Sequence, residues 1–127
     1  MSIFDSHCHP QFPQYEKDRE AMIKRARDAG VFMICVGTDL KTSREGIELA
    51  KKHEGMWATV GLHPNDINGR YDIMIYHTIL NELNDKSKVI AIGEIGLDYY
   101  RTPEPEKQKR QKEVFEQFLG LAIKYDK

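Results

Sequence analysis

Residues 89–98 read Val-Ile-Ala-Ile-Gly-Glu-Ile-Gly-Leu-Asp, and this stretch is the most informative segment of the chain. Its first four residues are apolar and rich in β-branched side chains, which is typical of a short strand buried on both faces. Glu94 follows one residue after the strand, and the glycines on either side permit a tight backbone there. On this motif alone, a solvated loop carboxylate is as good an interpretation as a functional one.

Working outward from this strand, short apolar runs alternate with longer amphipathic segments along the whole chain. Helix starts are predicted at Thr42, in a Thr-Ser-Arg-Glu capping box, and at Thr102, which is followed by Pro103. The last helix carries one apolar stripe at helical spacing. The predicted strands span residues 2–5, 31–36, 57–60 and 89–92, and the predicted helices span about residues 18–29, 42–54, 71–84 and 102–127.

Four successive β-α units predict an α/β fold with a parallel sheet and right-handed crossovers. Two architectures fit this pattern: an open doubly wound sheet and a TIM-type (β/α) barrel. A complete barrel has eight units in roughly 250 residues. The 127 residues therefore correspond to one domain, residues 1–127, with about the first four units of a barrel.

Composition excludes several functional classes. The formal net charge is -1, which argues against a strongly basic nucleic-acid-binding protein. No apolar run approaches the roughly 18 residues of a membrane helix, so we expect no membrane partner. The N-terminus lacks the pattern of a signal peptide, and Cys8 and Cys35 are expected to be reduced thiols. These features predict a cytoplasmic protein.

The second motif is Asp5-Ser6-His7-Cys8-His9, which follows the first predicted strand. In an extended chain, side chains two residues apart point to the same face, so His7 and His9 should project together while Cys8 faces the opposite side. Two imidazoles on one face can bind a divalent cation. The motif alone leaves open that they are simply polar loop residues.

The third motif is Gly61-Leu62-His63-Pro64, which follows the third predicted strand. His63 should therefore lie at the same end of the sheet as His7, His9 and Glu94. Three interpretations of His63 are open: an outer-shell residue of a metal site, a contact to a substrate phosphate, or a loop histidine that is hydrogen-bonded to the backbone. Two histidines and one glutamate form a known three-ligand catalytic set that leaves a position for water.

Together, residues 5–9, 61–64 and 93–100 resemble, in order and spacing, the N-terminal motifs of the TatD family of metal-dependent deoxyribonucleases. The resemblance implies an amidohydrolase-type TIM barrel that cleaves phosphodiester bonds of DNA with a metal-activated water. It implies two divalent ions (Mg, Mn or Zn), with His7 and His9 on one ion and a catalytic Glu94 bridging both. Contacts to the substrate are predicted for His63, Asp98 and Tyr99.

Members of that family continue beyond the fourth helix with strands that carry further metal ligands, whereas this sequence ends at Lys127. We therefore expect one sheet face, including Ile34, Val60 and Ile90, to lack its cover. Self-association, or a second chain that completes the barrel, would supply it. Two alternative functions remain: an amidohydrolase-type hydrolase of a small molecule, and a truncated, non-catalytic metal-binding chain.

Overall fold

The computed structural model describes residues 2–67, 72–81 and 88–127, which form one four-stranded parallel sheet with helices between the strands. The strands are β1 (Ile3–Cys8), β2 (Val31–Cys35), β3 (Met56–Val60) and β4 (Val89–Ile92). The helices are α1 (Arg19–Asp28), α2 (Leu40–Lys52), α3 (Ile73–Asn81) and α4 (Pro105–Tyr125). Residues 71 and 82–84, which the sequence assigned to the third helix, lie outside the described residues.

The strands lie side by side in chain order, β1-β2-β3-β4, and every pair is parallel. A doubly wound sheet reverses its strand order and covers both faces with helices. Here the buried core joins side chains of all four helices to a single face of the sheet. The structure therefore favours the barrel-type arrangement over the doubly wound alternative.

The helix-covered face contains the hydrophobic core. Alternate residues of β2 and β3 point into it, and all of them are at most 4% exposed: Met33, Cys35, Met56, Ala58 and Val60. From α4, the predicted apolar stripe contributes the buried residues Val114 and Phe118, and Leu121, which was not predicted, is buried beside them. The Phe118 ring meets Tyr76 of α3 edge-on, with ring centroids 4.8 Å apart. None of the helices in the described ranges is long and apolar enough to cross a membrane.

Two helix starts differ from their prediction. In α2 the N-cap is Asp39, whose carboxylate accepts a hydrogen bond from the Thr42 backbone N–H at 2.7 Å, while the Thr42 hydroxyl accepts one from the Asp39 N–H at 3.0 Å. Aspartate caps a helix as well as serine or threonine, so the helix begins three residues earlier than expected. In α4 the helix begins at Pro105 after Glu104, because a residue before proline is disfavoured in helical conformation.

The opposite face of the sheet has no helix on it within the described residues. Its N-terminal half carries an aromatic cluster of Phe4, Phe32 and Trp57, in which the Phe4 ring stacks on Trp57 at 5.4 Å between centroids. Phe4 is 52% exposed and Ile90 is 41% exposed. The expectation for Val60 is wrong, since this side chain points towards the helices and is fully buried.

Candidate metal centre

The two histidines of the second motif lie at the carboxyl end of β1 with their rings in contact. Their Nε2 atoms are 3.2 Å apart. The Nδ1 atom of His9 lies 2.9 Å from the Val36 carbonyl, which can only accept a hydrogen bond, so Nδ1 carries the proton. The His9 Nε2 lone pair is therefore left pointing towards His7. Such a bond to the far nitrogen is how proteins commonly orient a metal-binding histidine.

Glu94 meets the two histidines from the end of β4. Its Oε2 atom is 3.5 Å from His7 Nε2, and ligand atoms of His7, His9 and Glu94 all lie within 4.8 Å of one another. Backbone bonds place the residue, because the Glu94 N–H donates to Gly37 O at 2.7 Å and the Gly93 N–H donates to Val60 O at 2.9 Å. The predicted convergence of these three side chains at one end of the sheet is confirmed.

Gly61 allows the ends of β3 and β4 to approach this closely. A Cβ atom at position 61 would lie 2.5 Å from the Glu94 backbone nitrogen and would also overlap Gly93. Because real Cβ contacts are not that short, any side chain at Gly61 would push the backbone of Glu94 away from the histidines. The glycine of the Gly-Leu-His-Pro motif therefore has a direct geometric function.

His63 joins the cluster from the end of β3, as predicted. Its backbone N–H donates to Thr38 O at 2.7 Å, and its ring Nδ1 accepts from the Asn65 backbone N–H at 3.1 Å. The ring proton must then be on Nε2, which lies 3.5 Å from Glu94 Oε1. His63 thus presents a donor next to the carboxylate, whereas His9 presents a lone pair.

The chemistry of this donor set fits a divalent metal ion. Two imidazole nitrogens and one carboxylate oxygen suit zinc, and the carboxylate also suits magnesium or manganese. The side chain of His7 is 54% exposed and that of Glu94 is 31% exposed, so solvent can reach the cluster. The described residues provide three ligand atoms here, which leaves coordination positions for water, a substrate or further protein ligands.

Cys8, between the two histidines, is not part of this ligand set. It is half-buried, packs against the core and donates its S–H to Ile34 O at 3.3 Å. Burial, together with the negative charge of Asp5, raises the pKa of the Cys8 thiol to about 12. A thiol binds metals as a thiolate, so the interpretation of Cys8 as a packing residue is confirmed.

Asp98 and Tyr99, the two other residues predicted to contact the substrate, have surroundings different from those of His63. The carboxylate of Asp98 accepts from the Arg101 backbone N–H at 2.9 Å and from the Asn65 side chain at 2.8 Å, and it pairs with the Arg101 guanidinium at 3.0 Å. These bonds stabilise the loop of Asp98 and connect it to Asn65 in the loop after β3. Tyr99 is 38% exposed, and Lys112 Nζ lies 6.0 Å from its ring centroid.

Sequence reasoning missed three groups around the site: Asn65, which bonds the His63 ring, Gln111, which accepts from the Asp98 N–H at 2.8 Å, and the backbone at the end of β2. Asn65 was detectable, since it directly follows the Gly-Leu-His-Pro motif. Gln111 could have been noticed as the polar residue on the apolar stripe of α4. The β2 end was recognised only by its polar residues, whereas its backbone carbonyls make the contacts.

Barrel enzymes that hydrolyse their substrates with a metal ion carry their ligands at this carboxyl end of the parallel strands. The parallel sheet and the position of the cluster in this chain have the arrangement of that class. Residues 4–127 match the family model described as TatD related DNase, and the chain belongs to this family. The resemblance found in the three motifs is thereby confirmed.

Relatives and solved structures agree with this assignment. An uncharacterized metal-dependent hydrolase of Methanocaldococcus jannaschii is 33% identical over 100% of this chain, which covers 49% of that protein. The 3'-5' ssDNA/RNA exonuclease TatD of Cronobacter sakazakii is 37% identical over 94% of this chain and 44% of the exonuclease. The crystal structure of the TatD homologue YjjV from Escherichia coli superposes with a TM-score of 0.84 at 32% identity, over 98% of this chain and 48% of YjjV.

The chain thus spans about half the length of the relatives it matches. A TatD family hydrolase from Entamoeba histolytica, at 23% identity, has the same fold with a TM-score of 0.81 over 47% of its length. The four β-α units are therefore one part of a (β/α) barrel, as the sequence predicted.

We predict that Asp98 makes the free energy of unfolding of the chain depend on pH in the acid range. Hydrogen bonds from the Arg101 N–H and the Asn65 side chain, with the Arg101 charge, lower the pKa of Asp98 to about 2 from an ordinary value of 3.8. The stabilisation is therefore complete above about pH 4 and is lost as the pH falls towards 2. Denaturant unfolding should show Asp98→Asn less stable than wild type at pH 6, with the difference shrinking at pH 2. A difference that stays constant with pH, or that Glu116→Gln reproduces, would contradict this.

Proposed function

We propose that the protein is a metal-dependent phosphodiesterase that acts on DNA, with its metal centre at His7, His9 and Glu94. The observation that carries this proposal is the approach of these three ligand groups to within 4.8 Å at the carboxyl end of the strands. The relatives named as 3'-5' ssDNA/RNA exonucleases support a nucleic-acid substrate. On that basis we propose a single-stranded substrate.

We propose that His7, His9 and Glu94 would hold a divalent ion and that Glu94 would also serve a second one. Such ions, when bound, supply a water of lowered pKa and stabilise charge on the phosphoryl oxygens. The chain's own contribution is orientation. The bond from His9 Nδ1 to Val36 O would leave the Nε2 lone pair free to hold an ion, and the backbone bond from Glu94 to Gly37 O places Glu94 beside the two imidazoles.

The surroundings of His63 support a role in binding the scissile phosphate. Asn65 fixes the ring so that its Nε2–H points out beside Glu94, at 3.5 Å from the carboxylate. A substrate phosphate oxygen at the metal centre could accept this hydrogen bond in place of Glu94. Tyr99 is proposed to stack on a base, since an exposed aromatic ring can do so without regard to sequence. The substrate contact of Asp98 remains a prediction.

A small-molecule amidohydrolase would share the paired histidines, so the substrate must be tested directly. Single-stranded oligonucleotides should be cleaved in the presence of Mn²⁺, while amides and lactones should not. Hydrolysis of a lactone but not of DNA would favour the amidohydrolase alternative. Metal binding without either activity would favour the non-catalytic alternative. The cytoplasmic location remains a prediction of the sequence, testable by cell fractionation.

We further propose that additional β-α units complete the barrel, on the same polypeptide or on a second one. The strand order leaves β1 and β4 as the two edge strands of the sheet. Phe4 and Phe32 are 52% and 38% exposed on the sheet face that carries no helix among the described residues. Burial of such side chains is worth about 1.5–3 kcal/mol each, which favours covering this face.

Glu94→Gln is predicted to abolish both Mn²⁺ binding and DNA hydrolysis while leaving the fold intact. Glutamine keeps the size of the side chain but not the charge that attracts the ion. The loss should exceed the roughly 10–100-fold that removal of an outer-shell partner costs. Isothermal titration with Mn²⁺ and an oligonucleotide assay measure the two effects. Glu116→Gln, the same change at an exposed position of α4, is the matched control. Unchanged turnover in Glu94→Gln would remove this residue from the mechanism.

Residues 1–127, studied alone, are predicted to self-associate through the open sheet face. Sedimentation velocity should show dimers or larger species, and Phe4→Asp should weaken the association at least tenfold by placing a charge in the aromatic cluster. Ile123→Asp, at an apolar position that is 83% exposed on α4, should leave it unchanged. A monodisperse, cooperatively melting monomer would show that the sheet face needs no partner.

A further inference from the structure

Gln111 is a polar side chain on the apolar face of α4. It precedes Val114, Phe118 and Leu121 on the stripe that packs against the sheet, and it is 2% exposed. A buried primary amide is destabilising unless its donors and acceptor are bonded. Its presence on this stripe therefore requires specific partners.

The amide of Gln111 finds those partners in the loops after β3 and β4. Its Oε1 accepts from the Asp98 backbone N–H at 2.8 Å. Its Nε2 donates to Thr102 Oγ1 at 3.0 Å and to the Pro64 carbonyl at 3.3 Å, and it lies 3.5 Å from Asp98 O. Both ends of the amide are thus bonded to groups outside the helix.

These contacts connect the two loops that carry His63 and Glu94. Pro64 directly follows His63, and Asp98 is four residues after Glu94. A second link joins the same loops, from Asn65 Nδ2 to Asp98 Oδ2 at 2.8 Å. The amide of Gln111 bonds both loops to α4.

We propose that Gln111 is a positioning residue that sets the distance between His63 and Glu94, which is 3.5 Å between Nε2 and Oε1. Through this spacing it determines how closely the donor of His63 approaches the metal centre, so its functional consequence rests on the function proposed above. A purely structural role would be to hold the start of α4. Gln108 has that role already, because its Nε2 donates to the Thr102 carbonyl at 2.9 Å.

The test compares Gln111→Met with Gln108→Met in the full chain. Methionine keeps the length of glutamine and removes its hydrogen bonds, and both substitutions are on α4. Nitrogen-15 spectra of the five histidines, with His63 assigned through His63→Gln, report the environment of each ring nitrogen without metal or substrate. The Nε2 signal of His63 should shift in Gln111→Met and stay in place in Gln108→Met. A His63 signal that stays in place in Gln111→Met, or moves equally in both variants, overturns the proposal.

Mn²⁺ binding supplies a second, independent readout. If the wild-type chain binds Mn²⁺, Gln111→Met should weaken binding about tenfold, the lower end of what outer-shell changes cost. A change below twofold would overturn the proposal. If the wild-type chain binds no Mn²⁺, the proposed metal centre fails and the ring signals alone decide on Gln111. Should Gln111→Met fail to melt cooperatively by circular dichroism, Gln111→Glu keeps the acceptor for Asp98 N–H and removes the donors, and the same criteria apply to it.

Discussion

Three consecutive backbone carbonyls directly after β2, those of Val36, Gly37 and Thr38, bond the residues of the candidate metal centre. The first accepts the His9 ring at 2.9 Å, the second the Glu94 N–H at 2.7 Å and the third the His63 N–H at 2.7 Å. Because β2 lies between β1 and β3, its end is within reach of the loops of its neighbours and of β4. One short backbone segment therefore holds groups from three strands.

This arrangement needs small and well-bonded residues around it. Gly61 leaves room for the backbone of Glu94, and the buried hydroxyl of Ser43 bonds both the N–H and the carbonyl of Gly61 at 3.3 and 3.4 Å. Thr59 donates to Gly93 O at 2.5 Å and accepts from the Gly37 N–H at 3.3 Å. The buried hydroxyls of Ser43 and Thr59 are thus paired with backbone groups at the strand ends, which is what burial demands. The functional side chains thus project from a backbone whose own hydrogen bonds resist displacement.

The two faces of the sheet differ in how far their side chains are buried. The face towards the helices is filled by side chains that are almost completely buried, and this core positions α4 and, with it, Gln111. The other face carries the aromatic cluster of Phe4, Phe32 and Trp57 in the N-terminal half of the strands, whereas His7 and His9 lie at the carboxyl end of β1. The relatives that this chain matches are about twice as long as the chain itself.

Local sequence patterns determined the order of helices and strands and the β4 strand at Val89–Ile92. They also determined that four side chains lie at the same carboxyl end of the sheet: His7, His9, His63 and Glu94. They did so because strand periodicity, glycine placement and the rule for parallel strand ends act within a few residues. Tertiary structure decided the rest. Whether Val60 faced the helices depended on how β3 was rotated in the sheet. The functions of Gly61, Asn65 and Gln111 came from contacts between segments up to 47 positions apart in the chain, and such contacts exist only when the strands have been brought together.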